Sequence, residues 1–258
     1  SKVSNLKCLI SGHLPNLKFV LFCGEVMPTK CLNYWLKYLP NTVFSNLYGP
    51  TETTVASTYY TVDRAFSDSD HLPIGFPCRN TEILLLDQNN QLINNGDIGE
   101  ICIKGTGLAL AYWRDKKRTE ESFIQNPTHT NFPDLIYKTG DLARLNDQRE
   151  LIFIGRKDTQ IKHLGHRIEL GEIETACNSM IEIMSCCILY EQSQIICIYE
   201  SKTNSFNNNS FKNKLINLLP KYMIPSRFHQ IDEMPLNQNG KIDRVKLKSF
   251  INYDKNGG

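Results

Sequence analysis

A chain of 258 residues with 41% apolar side chains has the material for a buried core, which excludes wholesale disorder. Its 29 basic and 27 acidic residues are well mixed and leave a net charge of +2, so the pattern offers no basic face for nucleic acid. Nine cysteines, an odd count without a CxxC pair or a zinc-type Cys/His spacing, suit reduced thiols better than a disulfide framework. No apolar run approaches the roughly 20 residues of a membrane span, and the opening residues carry no secretory signal. The expectation is a cytoplasmic protein with no nucleic-acid or membrane partner.

Residues 17–22 read as a buried strand, followed by Cys23-Gly24-Glu25 and a helix beginning near Pro28, a favoured first helical position. Leu32, Trp35, Leu36 and Leu39 give that helix one apolar face, Pro40-Asn41 ends it, and residues 43–47 form the next strand. Strand, helix and strand predict a parallel α/β sheet, whose ligands bind beyond the carboxyl ends of the strands, where Gly24-Glu25 and residues 48–52 fall. From about 57 to 154 the pattern changes to short strands (81–87, 99–104, 151–154) with turn signals between them. This predicts a small β-barrel or sheet subdomain, interrupted by a helix over 115–123 and a surface loop over 126–133.

Residues 154–174 read as a strand end, a turn at Gly155, a charged link, a hairpin and a new amphipathic helix, and so as a seam between two lobes. In the helix, Ile173, Ala176, Cys177 and Met180 repeat at i, i+3, i+4 and i+7, with Glu172 and Glu174 near the positive end of its dipole. Beyond it, strands at 186–190 and 195–199 alternate with helices near 178 and 211–219, which makes a compact α+β lobe; adjacent Cys186 and Cys187 read as half-buried strand residues. Residues 201–210 read as a mobile loop, and 252–258 as a frayed end or the start of a linker.

Four motifs stand in order along the chain: Asn46-Leu47-Tyr48-Gly49-Pro50-Thr51-Glu52, Tyr137-Lys138-Thr139-Gly140-Asp141-Leu142, residues 154–174, and Asn239-Gly240-Lys241-Ile242-Asp243-Arg244. Together they resemble the adenylate-forming ligases, and within them the amino-acid-activating (adenylation) domains of nonribosomal peptide synthetases. The resemblance implies a fold of α/β and α+β type. Residues 1–157 would end a large AMP-binding lobe (1–56 α/β, 57–157 a β-barrel-type subdomain), and 158–258 would form a small lobe that swivels. It implies ATP and Mg²⁺ as cofactors, an amino acid as substrate, and as partners other synthetase modules and a peptidyl carrier that supplies a phosphopantetheine thiol.

The same resemblance assigns roles residue by residue. Lys241 matches the catalytic lysine, and Glu52 the metal ligand, since Mg²⁺ favours a carboxylate together with phosphate oxygens. Gly24, Glu25, Asn46, Tyr48, Gly49, Thr51, Glu52, Asp141, Phe153 and Arg156 match the ATP/AMP-binding set. In it Asn46 would read the adenine edge, Tyr48 lie against adenine or ribose, and Asp141, after a tight Thr139-Gly140 turn, accept both ribose hydroxyls. Arg156 would be a second ribose or phosphate contact. Asp158 matches the hinge, and Gly165, His166 and Arg167 the access route for a pantetheine arm. Leu21, Cys23, Leu47, Val55 and Ala56 fall at the substrate-pocket positions, and their apolar character implies an uncharged substrate side chain; read without the resemblance, they equally suit an ordinary core.

Cys23 and Ala111 stand where the family commonly has glycine, and His163-Leu164 departs from its hairpin, but none of these removes a group named above. The family's Ser/Thr/Gly-rich phosphate loop and its amine-binding aspartate are expected ahead of Ser1, and the thiol acceptor elsewhere. On this reading the chain is a fragment of a longer protein, inactive or very weak alone. The alternatives are an acyl-CoA or D-alanine–carrier ligase of the same superfamily, or a non-catalytic remnant that docks a carrier.

Overall fold

In the computed structural model, which describes residues 14–157, 160–164, 166–202, 208–238 and 240–253, the first strand β1 (Phe19–Phe22) pairs in parallel with β2 (Val43–Tyr48) across the helix α1 (Thr29–Tyr38). Antiparallel β3 (Thr58–Thr61) and β4 (Phe76–Pro77) extend the sheet in the order β1-β2-β3-β4. The helical period brings Leu32, Trp35, Leu36 and Leu39 of α1 onto one face of this sheet, against Val20, Phe22, Phe44 and Tyr60. The other face departs from the expected buried strand. Strand alternation turns Phe19 and Leu21 outward, and they are 64% and 62% exposed, beside exposed Val43, Tyr59 and Phe76.

Of the two forms expected for residues 57–157, barrel or sheet, the pairing gives a five-stranded antiparallel sheet. It is built from β5 (Thr81–Leu86), β6 (Gly99–Gly105), β7 (Phe123–Gln125), β8 (Leu135–Leu145) and β9 (Leu151–Arg156), in the order β5-β6-β8-β7 with β9 also on β8. A short helix α2 (Lys116–Ser122) precedes β7, capped where Asp115 Oδ1 accepts the Arg118 N–H. Two irregularities in β8 matter for the site. Between the Glu100–Leu142 and Cys102–Lys138 pairs, residues 139–141 of β8 stand opposite the single residue Ile101 of β6. What reads in sequence as a tight turn at Thr139-Gly140 is therefore a bulge inside a long strand. Across the other edge the register slips by one, so Arg156, not Gly155, lies opposite Asp141.

The surface loop over 126–133 is closed by Asp134, which takes hydrogen bonds from Lys104 Nζ (2.8 Å) and Asn126 Nδ2 (2.8 Å) and meets His129 Nε2 at 2.9 Å. The Lys104 bond first, then Asn126 and His129, hold the Asp134 carboxyl down at about 2. Because the folded value lies below the unfolded one, this clamp contributes fully above about pH 4 and is lost as pH falls toward 2. Amide exchange at Asn126, whose N–H donates to Asp134 O, should stay slow at pH 4 and speed up only nearer 2; opening already between pH 6 and 5 would contradict it.

The chain folds as two compact units, 1–158 and 159–258. The second holds a hairpin of β10 (Gln160–His163) and β11 (His166–Glu169) and a three-stranded sheet of β12 (Ile183–Glu191), β13 (Gln194–Ser201) and β14 (Arg227–Ile231). Alternation along the strands splits its core in two. Cys186, Ile188, Ile195 and Cys197 face α3 (Leu170–Ser179) and α4 (Asn208–Ile216), while Cys187, Leu189, Ile196 and Ile198 face α5 (Arg244–Tyr253). Both Cys186 and Cys187 are fully buried rather than half-buried, because each face has its own helical cover. All cysteines among the described residues are free thiols. Among those residues no helix is long and apolar enough to cross a membrane.

Arg244 ties the start of α5 to both other layers. Its guanidinium donates to Ile188 O (2.9 Å) and to Glu174 Oε1 (2.6 Å), and the same carboxylate accepts the Ile188 N–H at 2.8 Å. Arg244→Ala strips Glu174 of its charge partner, and should cost about 2–3 kcal/mol of stability in denaturant unfolding; a cost under 0.5 kcal/mol would contradict the anchoring role.

Candidate active site

Three strands deliver the first cluster. Tyr48 is the last residue of β2, Asp141 lies in the β8 bulge, and Arg156 ends β9. The Tyr48 hydroxyl donates to Asp141 Oδ2 at 2.6 Å, and Arg156 Nη1 donates to Asp141 Oδ1 at 2.9 Å. Asp141 is only 9% exposed, and its own N–H goes to Thr139 Oγ1 (2.9 Å). Burial, and then the Asp141 charge, push the Tyr48 phenol well above its ordinary value, so it stays a donor. Gly140 is required on two counts. Its φ is +73°, and a Cβ would come within 3.1 Å of the Arg156 guanidinium. Phe153 lies beside Tyr48 with ring centroids 6.2 Å apart, and is half-buried in the core of the five-stranded sheet.

A second cluster forms around the loop after β2. Glu52 sits in a 3₁₀ turn, Thr51–Thr53, and its Oε1 accepts the Tyr112 hydroxyl at 2.5 Å, with Arg118 Nη2 at 3.9 Å. The Arg118 guanidinium lies over the Tyr112 ring at 3.9 Å, and Tyr112 meets the Tyr137 hydroxyl at 3.2 Å. Burial opposes ionisation of Glu52, but Tyr112 and the other donors outweigh it and hold the carboxyl below its ordinary value. The loop is strained: Thr54 and Val55 have φ of 63° and 73°, and for a β-branched residue this costs about 1–3 kcal/mol. Gly49 lets it fold, since a Cβ there would come within 2.5 Å of Val55 O. The close approach expected of Gly49 is thus made to its own loop.

Asn46 is buried, and its amide donates to Pro73 O at 2.8 Å, so its Nδ2 already has a partner inside the fold. Gly24 (φ +95°) and Glu25 lie exposed in the loop after β1, and Thr51 is exposed beside Glu52. Leu21 and Leu47 share the uncovered face of the four-stranded sheet, Leu21 and Val55 are 62% and 61% exposed, Cys23 is exposed and Ala56 half-buried. Among the described residues, then, nothing buries Leu21, Cys23 or Val55 in a core.

In the second unit, Lys241 is exposed on a short loop fixed by Asn237 N–H to Lys241 O (2.7 Å), Lys241 N–H to Asn237 Oδ1 (3.1 Å) and Gly240 at φ +76°. His166 stacks on Tyr222 at 3.8 Å with the planes 5° apart. Asp158 and Gly165 lie outside the described residues, as does Asn239 of the lysine motif, and Arg167 is described only as part of β11. Sequence reading missed Tyr112, Tyr137, Arg118 and Glu100. The available signal for Glu100 was a carboxylate inside an otherwise apolar strand run, Ile101-Cys102-Ile103.

A family profile described as AMP-binding enzyme matches residues 4–113. Zwittermicin A synthase ZmaJ of Bacillus cereus is 37% identical over 95% of the chain and 47% of its own length. Among solved structures, Klebsiella oxytoca NpsA in complex with 3-hydroxyanthranilyl-AMSN superposes with a TM-score of 0.81 at 26% identity, covering 91% of this chain and 48% of that one. Holo-AB3403, a four-domain nonribosomal peptide synthetase bound to AMP and glycine, gives 0.73 at 33% identity over 87% of this chain and 17% of that one. The chain thus spans less than half of each of these proteins. With the fold, the motif order and these relatives in agreement, the chain belongs to the AMP-binding enzymes, as a portion of an adenylation domain.

Proposed function

We propose that the chain serves an enzyme that joins an amino-acid carboxylate to the α-phosphate of ATP and then passes the aminoacyl group to the phosphopantetheine thiol of a carrier domain in nonribosomal peptide synthesis. The observation that carries this reading is the convergence of Tyr48, Asp141 and Arg156 from three strands on one buried carboxylate. Such a carboxylate, oriented by two donors, has lone pairs left to accept vicinal ribose hydroxyls. Likeness to a synthetase bound to AMP and glycine supports the same assignment.

In the first half-reaction a substrate carboxylate oxygen bonds to the α-phosphorus, and the bond from that phosphorus to the pyrophosphate oxygen breaks. No proton moves, so no general base is needed. Lys241 is assigned to offset the meeting of the two anions, and Thr51 to donate to a phosphate oxygen. Glu52 fits a magnesium ion carried in with ATP. It is held ionised by Tyr112, and among the described residues no group of three ligating side chains could hold a resident metal. When bound, the ion would neutralise phosphate charge. In the second half-reaction the thiol sulfur gives its proton to solvent and bonds to the acyl carbon, the bond from that carbon to the phosphate oxygen breaks, and AMP leaves with the electron pair. Asp158 is assigned as the hinge between the two poses, with Gly165, His166 and Arg167 along the thiol's approach. The exposed apolar side chains of Leu21 and Val55 and the half-buried Leu47, with Cys23 and Ala56, suit an uncharged amino-acid side chain.

The test is ATP–pyrophosphate exchange by the full-length protein across a panel of amino, aryl and fatty acids. Exchange driven by one or a few uncharged amino acids is the expected result. Exchange with fatty acids alone, or with nothing in the panel, would overturn the reading.

A further inference from the structure

Glu100 belongs to none of the roles above, yet it sits behind the ribose site. It is 5% exposed on β6, flanked by fully buried Ile101. Its Oε1 accepts the Gly140 N–H at 3.1 Å, and its Oε2 meets Lys157 Nζ at 3.2 Å and Lys138 Nζ at 3.5 Å. The bulge makes the first contact necessary. Three residues of β8 face one of β6, so the ladder cannot supply partners for all three backbone N–H groups. Thr139 Oγ1 takes the Asp141 N–H while donating to Ile101 O at 2.8 Å, and Glu100 takes the Gly140 N–H. The bulge that presents Asp141 is therefore held from behind by two side chains.

The second contact has a mechanical meaning. Lys157 directly follows Arg156, which grips Asp141, and directly precedes Asp158. We propose that Glu100 is a positioning residue that pins both ends of the ribose grip: the Gly140–Asp141 bulge through its amide contact, and the Arg156–Lys157 strand end through its charge. The Glu100 carboxylate is buried, so its charge depends on the Lys138 and Lys157 ammonium groups, and the Lys157 contact ties the strand end to it. Motion of the chain beyond Lys157 would then leave the nucleotide site undisturbed. This inference rests on the proposed function for its catalytic readout.

The experiment compares Glu100→Gln and Glu100→Ala in the full-length protein. Gln keeps an oxygen for the Gly140 N–H but no charge for Lys157, whereas Ala keeps neither. The expected ATP KM rises at least tenfold in Glu100→Ala, with kcat changed less, and is restored to within about threefold of wild type in Glu100→Gln. Gly140 amide exchange should speed up only in Ala, and acetylation of Lys157 by an amine-reactive ester, read by mass spectrometry, at least threefold in both. Wild-type ATP KM in Ala, unaltered Gly140 exchange in Ala, or unaltered Lys157 labelling in Gln would each overturn the proposal. If the wild-type protein exchanges with no acid, the functional reading fails, and the amide and labelling measurements still decide Glu100. If Ala does not fold, the labelling of Lys157 in Gln decides it alone.

Discussion

Lys241→Ala is expected to lower amino-acid-dependent ATP–pyrophosphate exchange at least a hundredfold in the full-length protein, about 2.7 kcal/mol of transition-state stabilisation. Two anions brought to about 4 Å at an effective dielectric near 20 repel by roughly 4 kcal/mol, and the ammonium group is proposed to offset most of that. The surrounding loop should survive the change. Its form comes from backbone contacts between Asn237 and Lys241 and from the positive φ of Gly240, none of which needs the lysine side chain beyond Cβ. Stability should stay within about 0.5 kcal/mol, as for an exposed position. A specific role predicts a further split: transfer of a chemically prepared aminoacyl-adenylate to the carrier thiol stays within a fewfold of wild type. A loss below threefold in exchange, or equal losses in both halves, would sink the assignment.

Asp141→Asn should be as damaging by a different route. The amide oxygen can still take the Tyr48 hydroxyl, but the NH₂ then faces the Arg156 guanidinium, donor against donor. The proposed ribose grip loses both its charge and one of its acceptors. A drop of about a hundredfold or more in kcat/KM for ATP is expected, mostly through weaker nucleotide binding. Loss of the charged partner should also cost roughly 1–3 kcal/mol of stability. A structural readout accompanies it: with the carboxylate charge gone, Tyr48 should ionise at lower pH than in the wild type, visible in an ultraviolet titration. ATP kinetics within threefold of wild type would remove Asp141 from the site.

Elements whose signal is local were legible in the sequence. The apolar stripe of α1, and Ile173 and Cys177 of α3 with Met180 just beyond it, fall where the 3.6-residue period puts them, because one face meets a sheet, whereas α2 buries no residue and is marked by its Asp115 cap. What could not be read depends on partners far along the chain. Burial of β1 failed at Phe19 and Leu21 because alternation turns them to a sheet face that no helix among the described residues covers, and no local pattern reports which face that is. β3 and α5 were missed, the first because Thr-Tyr-Tyr-Thr carries only two apolar residues, the second because its charges mask the buried positions Leu247 and Ile251. At the site, motif resemblance supplied Tyr48, Asp141 and Arg156, but not their pairing with each other. It gave Glu52 without Tyr112, which lies 60 positions away and meets it only in the folded chain.

The slipped register of β9 carries a consequence for recombining or transplanting pieces of this domain. Had the ladder continued in the phase of its Ala143–Phe153 pair, Gly155 would lie opposite Asp141; the one additional residue, Ile154, brings Arg156 there instead. The hairpin over 146–150 fixes the rest of that phase, locked by Asn146 bonding to both the N–H and the carboxylate of Glu150 and by Arg64 on the same carboxylate. A residue inserted or deleted anywhere from 142 to 155 would move Arg156 to the opposite side of the sheet. Residues 139–156 are thus a unit of inheritance: chimaeras that exchange them whole keep the grip in phase, and crossovers within them must preserve length to the residue.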